Sequence, residues 1–172
     1  MADQLKLDIS KDVVNKKLTI TRAFNAPLEQ VWKAWTDKHL LDQWWAPKPY
    51  VARTKSMDFE NGGSWVYEMQ CRHEPKIWTI VEFKAIEKFK SFEGLTFFCD
   101  QDGVKQSDIP NMIWKNNFIA TPTGTTVIVD ITVPTEAELD MIIAKGFESG
   151  FSSALQNLEE TLAQNDQQVI VH

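Results

Sequence analysis

Two short runs carry side chains of the kind that bind metals. In Cys71-x-His73-Glu74 a thiol, an imidazole and a carboxylate fall within four positions. Strand alternation leaves only Cys71 and His73 on one face and supplies no second pair, whereas structural zinc needs four ligands. Asp100, Asp102 and Gly103 look like the opening of a calcium loop, yet Asn111 holds the twelfth position, where a bidentate glutamate belongs. These residues read as a polar hairpin loop, and no metal or other cofactor is expected. Nucleophilic chemistry has no signature either. There is no G-x-S-x-G elbow, and nothing in the spacing links Cys71 or Cys99 to His39, His73 or the terminal His172. Glu82 and Asp130 stand in otherwise apolar strands, where burial could raise a carboxylate toward neutrality and make it a general base. Acids are so rarely fully buried that an outward-facing or ion-paired role is the better reading of both. No catalytic residue is assigned.

The aromatic residues form the stronger constellation. Alternation places Trp65, Tyr67 and Met69 on one face of a strand, with Val66, Glu68 and Gln70 on the other. Met112, Trp114, Asn116 and Phe118 share a face of a later strand. If both faces look inward, they meet Phe147 and Phe151 of the last helix. Such a set is either a packed core or the wall of a ligand cavity of roughly 300–1,000 Å³. Tyr67 and Asn116 would be its polar contacts, since a buried hydroxyl or amide wants a partner. Four of the seven tryptophans, Trp32, Trp35, Trp44 and Trp45, crowd the segment Arg22–Tyr50. Trp32 and Trp35 read as core that seats a helical pair, and Trp44 and Trp45 as closing the mouth of the sheet.

These side chains must be positioned by a particular order of elements. Residues 1–15 read as a loose lead-in or at best an edge strand. Lys17–Phe24 alternates as a half-buried strand. Pro27 is predicted at the first helical position, followed by Leu28, Val31, Trp32 and Trp35 on one helical face. Asp37 can cap a second short helix bearing Leu40, Leu41 and Trp44, which Pro47 and Pro49 end. Strands follow at Val51–Phe59 and Ser64–Gln70, around an Asn61-Gly62 pair suited to a type I′ turn. Further strands are predicted at Lys76–Ile86, Ser91–Cys99, Met112–Ala120 and Thr125–Val133. The loop Asp100–Asn111 and the tight turn Thr121–Gly124 connect them. Thr135 and Glu138 form a capping box that starts a long last helix, with a bend near Gly146. Beyond the bend Phe147, Phe151, Ala154, Leu155, Leu158 and Leu162 hold one face.

The predicted fold is therefore α+β: a curled antiparallel sheet around a long C-terminal helix, with two short helices at one end. A run of hairpin-connected strands twists and curls, and only the last helix is large enough to cover the concave face. A curled sheet gripping one helix rarely closes completely, which leaves room for a cavity between them.

Composition removes several function classes. The chain of 172 residues carries 24 acidic and 18 basic side chains, a net charge of −6. That argues against a nucleic-acid partner, which needs clustered Lys and Arg. No apolar run approaches the ~18 residues of a membrane span, and the polar N-terminus has no secretory apolar region. Two cysteines are too few for a disulfide framework and read as reduced thiols of a cytoplasmic protein, although one bridge between them stays possible.

Three motifs then carry a family resemblance. They are R-x-F-x-A-P-x-x-x-V-W-x-A-W-T-D from Arg22 to Asp37, W-W-x-P from Trp44 to Pro47, and G-G-x-W-x-Y-x-M from Gly62 to Met69. Together they resemble the activator of heat-shock protein 90 ATPase homologue family, within the START/Bet v 1-like (SRPBCC) superfamily of helix-grip folds. The resemblance implies a single domain over residues 16–164, with tails at 1–15 and 165–172. It also implies a cavity that binds a small apolar, aromatic or lipid-like ligand. The residues expected to line it are Trp44, Trp45, Trp65, Tyr67, Met69, Trp114, Asn116, Phe118, Phe147 and Phe151. The same resemblance implies two alternatives, a chaperone-interacting module and a cyclase- or hydratase-like enzyme. The protein is expected as a monomer or homodimer.

Overall fold

The computed structural model describes residues 7–106 and 111–171, with side chains described through residue 164. Part of the expected loop Asp100–Asn111, the start of the lead-in and His172 thus lie outside the described residues. One eight-stranded sheet runs through the molecule in the order β1-β2-β8-β7-β6-β5-β4-β3, antiparallel throughout. Its strands are β1 (Leu7–Asp12), β2 (Lys17–Phe24), β3 (Val51–Met57), β4 (Ser64–Gln70), β5 (Ile77–Glu87), β6 (Ser91–Cys99), β7 (Met112–Thr121) and β8 (Gly124–Thr132). From β3 to β8 every sequential pair is adjacent in the sheet. The one long crossover, from β2 to β3, carries α1 (Leu28–Thr36) and α2 (Lys38–Trp44) from one side of the sheet to its far edge. After β8 come α3 (Glu136–Ala144) and α4 (Phe147–Val171).

The alternation predicted for the strands appears as burial. In β2, Leu18, Ile20, Arg22 and Phe24 are buried while Lys17, Thr19, Thr21 and Ala23 are half-buried. β8, its neighbour, repeats that pattern. The period of two puts one set of side chains on the concave face, where the helices cover it. Asp37 caps α2 as predicted, its carboxylate accepting from the backbone N–H of His39 at 2.8 Å. Thr135 caps α3, accepting from Glu138 N–H at 3.1 Å.

Three local readings are corrected. Pro27 stands one position earlier than predicted, as N-cap of α1 with φ −65° and ψ 156°. Asn61-Gly62 is not a type I′ turn. Only Gly62 has positive φ, and the connection is a longer loop held by β5, with Gly62 N–H bonding Phe83 O and Phe83 N–H bonding Gly63 O. The last helix is not one bent rod. Gly146, at φ +85°, breaks it into α3 and α4, a left-handed conformation that glycine adopts without penalty.

α4 is tied to the rest at two buried points. Asn157 donates to the carbonyls of Trp44 and Ala46 at 3.4 and 3.0 Å, satisfying groups at the C-terminal end of α2. Arg22, buried on the concave face, pairs with Glu159 at 3.2 Å and lies over the Phe24 ring.

Candidate functional site

The concave face has two ends of different character. At one, α1 inserts Trp32 among Phe59, Phe89, Phe92 and Phe118, all edge-to-face with ring centroids 5.0–6.0 Å apart. Such contacts favour a filled, rigid core. At the other end α3 gives way to α4 at Gly146, and the sheet beneath is not filled. A cleft of about 510 Å³ opens there between the α3–α4 junction, residues 45–47 and the ends of β4–β7.

The walls are built from remote segments. Trp45, the residue after α2, reaches into the cleft and donates its indole N–H to the Tyr67 hydroxyl at 2.8 Å. Burial pushes the Tyr67 phenol up to about 12, against the lowering effect of that hydrogen bond, so the hydroxyl is neutral at ordinary pH. Trp114 from β7 packs edge-on to Phe147 and Phe151, at 5.7 and 5.3 Å, and lies 5.5 Å from Trp45. Phe147 and Phe151 occupy successive turns of α4 and stack at 22°. Met69 and Phe98 extend the floor. Behind Trp114 is a second, small void of about 30 Å³, lined in part by Trp35, Trp65, Thr96 and Asn116. That is room for one water-sized group. Trp35 Nε1, Trp114 Nε1 and Asn116 Oδ1 are buried without a protein hydrogen-bond partner.

Of the residues expected at a ligand site, Trp45, Tyr67, Met69, Trp114, Phe147 and Phe151 line the cleft together. Trp65 and Asn116 border the void behind it. Trp44 and Phe118 line neither. Trp44 is fully buried and donates its indole N–H to Ala34 O at 2.8 Å, and Phe118 packs on Trp32 and Trp35. Sequence reasoning missed Pro47, Phe98, Ile142, Lys145, Gly146 and Gly150. Phe98 lay within reach of alternation from Phe92, Gly94 and Thr96, had the Phe97-Phe98 pair not blurred the period. Lys145 gave no signal at all.

The residues considered for catalysis and metal binding lie elsewhere. Glu82, His39 and His73 are exposed. Asp130 is on the convex face, accepting from Thr19 Oγ1 at 2.7 Å. Asp100 accepts from the N–H groups of Asp102 and Val104, closing its own loop. Cys71 and Cys99 are unpaired thiols, and burial, with Asp100 nearby, raises the Cys99 pKa. Among the described residues no three potential metal ligands come together, and no helix is long and apolar enough to cross a membrane.

The family described as Activator of Hsp90 ATPase homolog 1-like protein matches residues 25–163. Solved structures agree over nearly the whole chain. A Staphylococcus epidermidis protein is 31% identical, with a TM-score of 0.80 over 91% of this chain and 94% of its own. Protein Ms6760 of Mycobacterium smegmatis is 26% identical, with a TM-score of 0.84 over 91% of this chain and 97% of its own. The AHSA1 protein of Silicibacter pomeroyi, at 19% identity and a TM-score of 0.69, shares the fold over 87% of this chain and 99% of its own. No curated protein matches the chain.

Proposed function

We propose, from the premise that this chain belongs to the Activator of Hsp90 ATPase homolog 1-like family, that it is a non-enzymatic binder of small apolar or aromatic molecules. The observation that carries this reading is the cleft of about 510 Å³ with Trp45, Trp114, Phe147 and Phe151 in its walls. Its volume falls within the range of small-molecule sites. Its polar groups are few, and the Tyr67 hydroxyl is already engaged by Trp45. Binding would be driven by desolvation. A ligand hiding about 200 Å² of apolar surface gains about 5 kcal/mol before ordering costs. Among the described residues no histidine or carboxylate lines the cleft, so the groups that the enzyme reading was built on are not there.

Two indoles in the walls make occupancy visible. Small molecules retained by the native protein should be found by mass spectrometry, and their return to stripped protein should shift or quench tryptophan emission. Absence of any retained molecule, with no emission change across a panel of apolar and aromatic probes, would refute the reading.

A second reading, a module that docks on a chaperone, is favoured by the convex face. There the half-buried Val66 and Ile80 are neighbours across β4 and β5, and Leu95 and Ile113 are neighbours across β6 and β7. Ile113 is 45% exposed. Capture of the host's Hsp90-type chaperone, with a changed ATPase rate, would support it. No binding at micromolar concentration would count against it.

A further inference from the structure

We infer that the small void behind Trp114 is a hydroxyl subsite of the cleft. The ligand is then a neutral apolar alcohol or phenol, its hydroxyl held between Trp35, Trp114 and Asn116. The inference rests on the ligand-binding reading above and narrows it to a chemical class. Among the described residues six buried side-chain polar atoms lack a hydrogen-bond partner. Two belong to Arg22 and Glu68, which are engaged in ion pairs. Of the four neutral ones, Trp35 Nε1, Trp114 Nε1 and Asn116 Oδ1 belong to residues that line this one void of about 30 Å³. None of those residues is more than 7% exposed, so bulk water does not satisfy them. Buried polar groups are rarely left so, because an unmade hydrogen bond at low dielectric costs more than a made one returns.

The three atoms define the group that completes them. An indole N–H can only donate, and an amide oxygen can only accept. A hydroxyl accepts twice and donates once, and it is no larger than the water-sized group for which the void has room. A carboxylate would lose its hydration there and face the Asn116 oxygen. An ammonium group would meet two donors, and a ketone or ether would leave Asn116 unpaired. The void also lies within reach of a ligand in the cleft. Trp45, Thr96 and Trp114 belong to both linings, so a single layer of side chains separates the two spaces. Gly94, paired with Trp114 across β6 and β7, brings no side chain to fill the void from the sheet. The polar end of the ligand therefore lies deepest, and its apolar body stays against Trp114, Phe147 and Phe151.

The test compares three probes built on one butyl-substituted ring: para-butylphenol, para-butylanisole and butylbenzene. Each is titrated into the stripped full-length protein at about pH 7, where the phenol is neutral, and followed by calorimetry and tryptophan emission. The phenol should bind about tenfold tighter than butylbenzene, the net worth of its hydrogen bonds after its own dehydration. The anisole, whose methyl group removes the donor and enlarges the head, should lack that advantage. Asn116→Leu and Trp114→Phe each delete one partner. In each, the ratio of phenol to butylbenzene affinity should fall to about threefold or less. Butylbenzene serves as each variant's own reference for a folded cleft, and the wild-type ranking decides without either variant. A phenol that binds no better than butylbenzene, an anisole that matches the phenol, or a ratio unchanged in both variants overturns the hydroxyl assignment. Any of these leaves the void to internal water and the cleft reading standing. Failure of all three probes to bind up to their solubility limits overturns both.

Discussion

The hydrogen bond between Trp45 Nε1 and the Tyr67 hydroxyl, 2.8 Å long, joins the end of α2 to the floor of the cleft. Both partners are largely withdrawn from water, so deleting one leaves the other orphaned. Tyr67→Phe should cost about 1 kcal/mol at pH 7, read by denaturant unfolding. The pH dependence gives a second readout. Tyr67 is neutral when protonated, and its folded pKa of about 12 lies above the unfolded value of 10.0. Between those values the native state holds the proton more tightly, so its stabilising effect is complete below about pH 10 and is lost as pH rises toward 12. The gap between wild type and Tyr67→Phe should therefore close and then reverse through that window, because the linkage loss exceeds the gap of about 1 kcal/mol at pH 7. A gap constant to pH 12 would mean that the phenol is not buried as described. The adjacent indoles at 44 and 45 show where sequence reading stops at this scale. Both were legible as a stop to α2, but one residue of helix rotates a side chain by about 100°, enough to separate core from cleft wall. The Ala34 carbonyl takes Trp44, and the Tyr67 hydroxyl takes Trp45. Neither partner is close in sequence.

Elements were legible where periodicity was regular. β2, β6 and β8 were predicted within one residue because their inward positions alternate without interruption through most of their length. Connections were less legible, because distant contacts set them. Asn61-Gly62 is a good I′ pair in isolation. Here the loop bonds to Phe83 of β5, and the Asn61 side chain accepts from Ile86 N–H, which prevents the short turn. Gly146 read as a bend, since its position was evident but its φ was not. That glycine separates α3 from α4 and so opens the helix side of the cleft. A Cβ at position 146 would meet no heavy atom within 4 Å, so substitution tests the backbone alone. Gly146→Ala should lose about 1 kcal/mol from the left-handed conformation. A gain in helix content by circular dichroism, without loss of stability, would show instead that α3 and α4 can merge.

At the scale of the whole molecule the fold divides its concave face between packing and access. Trp32 and its phenylalanine neighbours fill one end, and α4 crosses the other without filling it. Gly150 makes this division testable. It lies within α4, where glycine is about 1 kcal/mol less favourable than alanine. No contact requires its smallness: a Cβ there would come no closer than 3.7 Å to any heavy atom, at Pro47 Cγ. Packing within the fold thus gives no reason for glycine, whereas a cleft that must stay open does, because Gly150 lines it. Gly150→Ala should raise stability by about 0.5–1 kcal/mol with little effect on ligand uptake. Gly150→Leu should keep part of that gain while placing its side chain in the space a ligand would occupy. Its affinity for the apolar and aromatic probes that bind the wild type should fall at least tenfold, and ligand-dependent stabilisation, about 2.7 kcal/mol at one hundred times Kd in the wild type, should be correspondingly reduced. If the leucine variant binds as tightly as wild type, the cleft beside α4 is not where ligand sits. If both variants are destabilised, position 150 is under packing constraint, and the helix is held closer to the sheet than this structure places it.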